Sequence, residues 1–219
     1  MAKQEVTVLK KVKNGVLYSD GTIRIERVRL SYPHVGKAHA MLDKKTGQMG
    51  KAIFSLTALL NKTEHEEVCK LITENNKRLM AENKVDKVKA DAKFIRDGDG
   101  ELVDSEEAIG HWTVSCRENR KPLVMNKAGQ FIEAEEAEQM FYGGCWGHVI
   151  IRPWYQESPE YGKRLNCGFV SVRFWKDDDS FGEGRISAED VANRFGDIED
   201  DEGADAGGFA TATDDDDDL

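Results

Sequence analysis

Two Arg-x-Trp triplets, Arg152-Pro153-Trp154 and Arg173-Phe174-Trp175, punctuate the segment IIRPWYQESPEYGKRLNCGFVSVRFW (150–175). Residues two apart share one face of a β-strand, so each triplet sets a guanidinium beside an indole. The chemistry open to such a pair is non-covalent: the flat ring stacks on another π-system while the cation neutralises a nearby anion. If the two flanking strands pair as a hairpin, Val149 and Ile151 with Val170, Val172 and Phe174 form the inward face. Trp146, His148, Ile150, Arg152 and Trp154 then lie outward, beside Phe169, Ser171, Arg173 and Trp175.

Planar rings among guanidinium groups suit an unpaired nucleic-acid strand, whose bases stack on aromatic side chains for about 1–3 kcal/mol each. The connecting segment adds Tyr155, Tyr161, Lys163 and Arg164, and Lys51, Arg117, Arg120 and Lys121 are further cations at expected strand ends or loops. On this reading Trp154→Ala and Trp175→Ala each weaken strand binding. The competing reading is structural: a ring packed on the core with its neighbouring cation reaching out to water.

Covalent chemistry has less support. His34, His39, His65, His111 and His148 lack metal-ligand spacing, and Cys69, Cys116, Cys145 and Cys167 contain no C-x-x-C pair. The Asp97, Asp99 and Glu101 carboxylates sit in RDGDGELVD, where two Asp-Gly steps signal a turn and the 12-residue calcium-loop pattern is missing. Gly182-x-Gly184 is too short for a phosphate-cradling fingerprint. No nucleophile, base and orienter set is visible, so a binding protein without cofactor or bound metal is expected, not an enzyme.

The elements that must carry these residues are mostly strands. GTIRIERVRLSYP (21–33) alternates apolar and polar residues but changes phase at Glu26-Arg27, which predicts a β-bulge. KAIFSLTALL (51–60) places Ala52, Phe54, Leu56, Ala58 and Leu60 on one side. A long helix follows to about Asn83, with Thr63 and Glu66 as a capping box and Val68, Leu71, Ile72 and Leu79 at helical spacing. VDKVKADAKF is read as its continuation. HWTVSCRE (111–118) is a half-buried strand, EAEEAEQMF (133–141) a short helix stopped at Gly143-Gly144, and QESPEYGKRL a polar loop between the two strongest strands. ISAEDVANRF (186–195) is a last helix with Ser187 as N-cap. The pattern predicts a mainly β fold with α additions, an OB-like small barrel with one long helix between strands.

The net charge of −10 hides two parts. From Asp197 to Leu219 there are eleven acidic residues and no Lys or Arg, which leaves residues 1–196 near neutral, at about +1. The expected organisation is a folded domain over 1–196 and a disordered acidic tail over 197–219. Asp214, Asp215, Asp216, Asp217 and Asp218 followed by Leu219 have the shape of a docking peptide, in which charge steers and a terminal apolar side chain anchors. No apolar run approaches membrane-spanning length and MAKQEVTVLKKVK has no hydrophobic stretch ahead of a cleavage site, so a cytoplasmic protein with no membrane partner is expected.

With these features together, the chain resembles the single-stranded DNA-binding proteins of tailed phages. The resemblance rests on RLSYP (29–33), on KAIFSLTALLNK leading into the helix, on FYGGCWGHVIIRPW (141–154) and on the aspartate tail. Two departures stand out: the family analogy favours a terminal phenylalanine where this chain has Leu219, and residues 176–195 are harder to match. The resemblance implies an OB-fold core that coats single strands during DNA replication and recombination in an infected bacterial host. It further implies strand annealing, a tail that recruits DNA polymerase, helicase-primase or recombination factors, and compatibility with a homodimer. Two other readings stay open on the residues alone: an acidic-tailed adaptor without nucleic-acid affinity, and a metal-dependent nuclease using Asp97, Asp99, Glu101 or Asp177 to Asp179.

Overall fold

A 17-residue strand, β3 (Ile23–His39), organises the molecule. The computed structural model describes residues 5–42, 47–182 and 188–195. The first turn of β3 pairs on one edge with β2 (Gly15–Tyr18), itself in a hairpin with β1 (Val8–Val12), and on the other with β8 (Trp146–Ser158). Farther along, β3 leaves β2 and pairs with β4 (Ile53–Asn61).

The change of partner occurs at the expected bulge. Ile25 faces Val149 and Val28 faces Gly147, so β3 spends one more residue than β8 across this step. Arg27 takes φ +58° to do it. The bulge resets the alternation so that Ile23, Ile25, Val28 and Leu30 all point inward and are fully buried, each contributing about 1.5–3 kcal/mol of hydrophobic stabilisation. The Glu26 carbonyl exposed by the bend lies 2.9 Å from His65 Nε2, the ring nitrogen that donates to it.

The full sheet order is β5 (Ile95–Asp97), β6 (His111–Glu118), β4, β3, β8, β9 (Gly162–Lys176) and β7 (Leu123–Met125). All neighbours are antiparallel except β7 on β9. The sheet is open: among the described residues no ladder joins β6 to β9. These two strands nevertheless meet through their side chains, with Cys116 Sγ 3.6 Å from Cys167 Sγ in the core.

Helix α1 (Glu66–Glu82) lies between β4 and β5 and buries Val68, Leu71 and Ile72. Its start differs from the expected capping box. The preceding turn is held by Asn61 Oδ1, which accepts from the backbone N–H groups of Thr63 and Glu64, and the helix begins only at Glu66. Its end also differs from expectation: VDKVKADAKF does not continue it. Lys84 turns the chain at φ +55°, and Val85, Val88, Ala92 and Phe94 then enter the core from an extended segment with one 3-10 turn. An apolar spacing that imitates a helix is here set by where an extended chain crosses the core.

Helix α2 (Ala134–Met140) is short, as expected, and precedes the FYGGCWG segment. Gly144 explains part of that motif. It adopts φ +109°, and a Cβ on it would stand 2.2 Å from the carbonyl oxygen of Asp179, so only glycine lets the 177–181 segment lie against this turn. The expected loop QESPEYGKRL is mostly strand: β8 runs to Ser158 and β9 starts at Gly162, leaving a three-residue turn.

Along the chain two compact units are distinguished, residues 1–184 and 185–219. Helix α3 (Ala188–Phe195) belongs to the second; the expected Ser187 cap and the 197–219 tail lie outside the described residues. No described helix is long and apolar enough to cross a membrane.

Candidate nucleic-acid interface

The outward face of the β8–β9 hairpin is set by its register. On β8 the expected parity holds, with Val149 and Ile151 buried and Trp154 exposed. On β9 it slips by one. Ile150 faces Ser171 while Ile151 faces Phe169, so Val170 is an extra residue in a bulge. Phe169 therefore points into the core, 1% exposed, and Val170 is only half-buried, the reverse of the parity drawn from a regular hairpin.

A second register shift, at the Trp146 end, makes Trp175 the unpaired residue there. Both tryptophans are half-buried and pack edge to face with centroids 5.8 Å apart. A cation lies over each ring: Lys176 Nζ is 4.9 Å from the Trp146 centroid and 5.1 Å from that of Trp175, with the Arg27 guanidinium 5.4 Å from the latter. Trp146 Nε1 donates to Asp178 Oδ2, and that N–H is the main reason the Asp178 carboxyl is held below its ordinary range.

Trp154 is in different surroundings. It is 43% exposed and stands in a cleft of about 300 Å³ between the distal half of the hairpin and the outer face of β4 and β6. Lys93, Arg96, Arg117 and Arg164 line the same cleft, with Gln156 and Asn166 joined by a 2.8 Å hydrogen bond on its floor. Its one acidic lining residue, Glu118, accepts from Arg152 at 2.7 Å. The cleft thus combines an accessible indole, a surplus of cations and amide groups.

The residues expected from sequence divide accordingly. Arg117, Trp154 and Arg164 line the cleft, and Arg152 joins it through Glu118. Lys51 is exposed two residues before β4, whose first residue, Ile53, also lines the cleft. Lys163 sits opposite Glu157 and Tyr161 at the hairpin tip, while Tyr155 packs partly on the core and donates its hydroxyl to Glu157. Arg120 is exposed in the turn after β6, and Lys121 is paired with Glu133 at 3.4 Å. Trp146 and Trp175 form the separate cluster, and Arg173, opposite His148 in the register, donates to the Lys127 carbonyl. Asp214 to Asp218 and Leu219 lie outside the described residues.

Sequence reasoning missed Lys93 and Arg96. They come from the segment misread as helix and from β5, and Lys93 meets the hairpin through an isolated bridge to Leu165. Of the carboxylates considered for a nuclease, Asp97, Asp99, Asp177 and Asp178 are engaged otherwise. Lys62 bonds both Asp97 and Asp99, and its ammonium is the main cause holding both carboxyls below their ordinary range. Asp177 accepts from the Tyr142 hydroxyl at 3.0 Å.

The class the fold defines is a mainly antiparallel, open β-sheet protein, and the chemistry of its cationic cleft around an exposed tryptophan is that of aromatic stacking beside anion neutralisation. Comparison with known proteins gives the family. The model of the Enterobacter phage Enc34 ssDNA-binding protein matches residues 21–205, and the chain belongs to that family. The bacteriophage Enc34 single-stranded DNA-binding protein is 39% identical, with TM-score 0.72 over 86% of this chain and 99% of that one. The same phage protein solved in complex with ssDNA is 38% identical, with TM-score 0.73 over 82% of this chain and all of that one. Its C-terminal truncation gives 38% and 0.72 over 83% and 100%. No curated protein sequence matched.

Proposed function

We propose that this protein binds single-stranded DNA in the Trp154 cleft and coats strands exposed during phage DNA replication and recombination in the host cytoplasm. The observation that carries the reading is the exposed Trp154 indole flanked by Lys93, Arg96, Arg117 and Arg164. The ring stacks a base and the cations neutralise the phosphates on either side of it. The ssDNA complex of the Enc34 protein supports the ligand class. The order β3-β4-β6 on one side and β3-β8-β9 on the other, with β6 and β9 brought together at Cys116 and Cys167, supports an OB-like arrangement whose last seam lacks a ladder.

A labelled oligonucleotide run on a native gel, with and without Mg²⁺, tests the function. Retardation without loss of the oligonucleotide is expected; Mg²⁺-dependent cleavage would favour the nuclease reading, and free migration the adaptor. With four cleft cations each meeting one phosphate, log affinity should fall against log salt with a slope of about −3. A slope near zero would remove the electrostatic part of the reading.

Residues 1–196 act as the binding domain and the acidic 197–219 tail competes with DNA for the domain's cations while recruiting replication proteins such as DNA polymerase or helicase-primase. A tethered segment at an effective concentration near ~mM, with affinity near ~mM, is bound about half the time. Deleting residues 197–219 should therefore tighten strand binding about twofold or more at low salt, measured by fluorescence anisotropy. Unchanged or weaker binding after deletion would reject the competition. Sedimentation at micromolar concentration checks the homodimer that the resemblance is compatible with.

A further inference from the structure

We propose that Tyr32 is a second base-stacking residue, placed at the far end of a polar track that crosses the sheet from the Trp154 cleft, so that one single strand meets both rings. The inference rests on the strand-binding reading of the cleft and extends it to a pocket that shares no lining residue with the cleft.

The far end of the track is made by a bulge in β3. Leu30 and Val35 are fully buried in the core, and regular alternation from Leu30 would turn residue 32 inward as well. Instead β3 spends three steps from Ser31 to His34 where β4 spends two, from Thr57 to Ser55. The extra residue turns Tyr32 outward, 68% exposed, with its backbone at φ +48°. A left-handed backbone is unfavourable for tyrosine, and an exposed ring forfeits the stabilisation of burial, so the arrangement does not serve the core. Bulges that re-aim one side chain in this way gather next to functional sites. The other outward ring of the segment, His34, is already stacked on His39 with centroids 4.4 Å apart.

Register joins this ring to the cleft. His34, Ser55 and Arg117 form one row across β3, β4 and β6, and Ser31, Thr57 and Ser115 form the next. All six alternate with the core residues Leu30, Val35, Leu56, Ala58, Val114 and Cys116 and so project from the opposite face. Arg117 and Ser115 line the Trp154 cleft, while Ser31, Tyr32 and His34 line a second pocket of about 370 Å³. Neighbouring strands lie about 4.8 Å apart, so the rows span about 10 Å from β6 to β3. Their middle is polar. Thr57 Oγ1 and Ser115 Oγ are 3.4 Å apart, and Ser55 Oγ, in a residue 6% exposed, has no hydrogen-bond partner among the described residues. A buried hydroxyl without a partner is uncommon in a folded protein, and a strand laid along the rows brings polar groups to it. Glu107 and Glu138 also line the second pocket, where they accept from Ser31 Oγ at 3.0 Å and from the Lys37 backbone N–H at 2.9 Å. Their charge turns phosphates back toward Arg117 but suits a base edge with amino hydrogens to donate. The occupant these groups fit is a base stacked on Tyr32, with its backbone kept on the cleft side.

The test is an anisotropy titration of the full-length protein with a labelled oligodeoxycytidylate of about 12 nucleotides, within the usual span of site sizes. Tyr32→Gly is the informative variant. Glycine adopts φ +48° without strain, so this variant should melt no lower than the parent. It should nevertheless bind about fivefold more weakly or worse, while Tyr32→Phe, which keeps the ring, stays within about twofold of the parent. Irradiating the parent complex with an oligonucleotide carrying 5-iodocytosine should leave a base adduct on Tyr32, found by mass spectrometry of the peptides. Parent-like affinity of Tyr32→Gly, or adducts that spare Tyr32, would overturn the proposal. A parent that fails to bind would overturn the strand-binding reading itself. Weakened binding by Trp154→Ala alongside unchanged binding by Tyr32→Gly would sink this inference alone and leave the acidic pocket to a partner of positive charge.

Discussion

Replacing Phe169 with alanine is expected to cost about 3–5 kcal/mol of folding stability, the usual loss for a large aromatic removed from a closed core. Its ring is 1% exposed and sits on β9 between Ile151 across the hairpin and the seam where β9 approaches β6. Val170→Ala, one residue on, should cost no more than ~1 kcal/mol, because the side chain is half-buried on the opposite face. The contrast tests the bulge directly. A one-residue slip exchanges the faces of every side chain on one side of it, so a regular hairpin would reverse the two results. Urea denaturation of both variants measures it. A larger loss for Val170→Ala than for Phe169→Ala would show that the register, and with it the facing of the β9 residues before Val170, is wrong.

The second large effect is on function. Trp154→Ala should lose about 1–3 kcal/mol of affinity for a single-stranded oligonucleotide, roughly 5- to 150-fold, with little change in melting temperature. The side chain is 43% exposed in the cleft, so its removal opens no cavity in the core. Trp175→Ala should behave in the opposite way. Its ring packs on Trp146 under Arg27 and Lys176, and truncation should lower stability while leaving strand affinity much closer to that of the parent. Titrations of both variants at one salt concentration, paired with thermal melts, separate the roles. Equal losses of affinity would mean that both tryptophans serve one continuous strand path.

How far the residues alone could lead is visible in these two pairs. Alternation identified β4, β6 and β8 and the bulge at Glu26-Arg27, because a sheet with one face on the core demands period two and a break in phase demands an extra residue. The tryptophans, arginines and acidic chain end suggested a strand-binding protein with a docking peptide, and the chemistry of rings, guanidiniums and carboxylates is local to each side chain. The Val170 bulge was illegible, since Phe169, Val170, Val172 and Phe174 are all apolar and either parity buries hydrophobic surface.

What gathers around Trp154 was decided in three dimensions. Lys93 and Arg96 are 61 and 58 residues from it in the chain and reach the cleft only because β5 and β6 lie across the open seam from the hairpin. Trp146 and Trp175, alike in type to Trp154 and on the same two strands, are half-buried against each other, with Arg27 over Trp175 and Asp178 accepting from the Trp146 indole. Sequence by itself determined which groups are present and which strands carry them. Only tertiary structure decided which ring stays open, because exposure depends on the packing of segments distant along the chain.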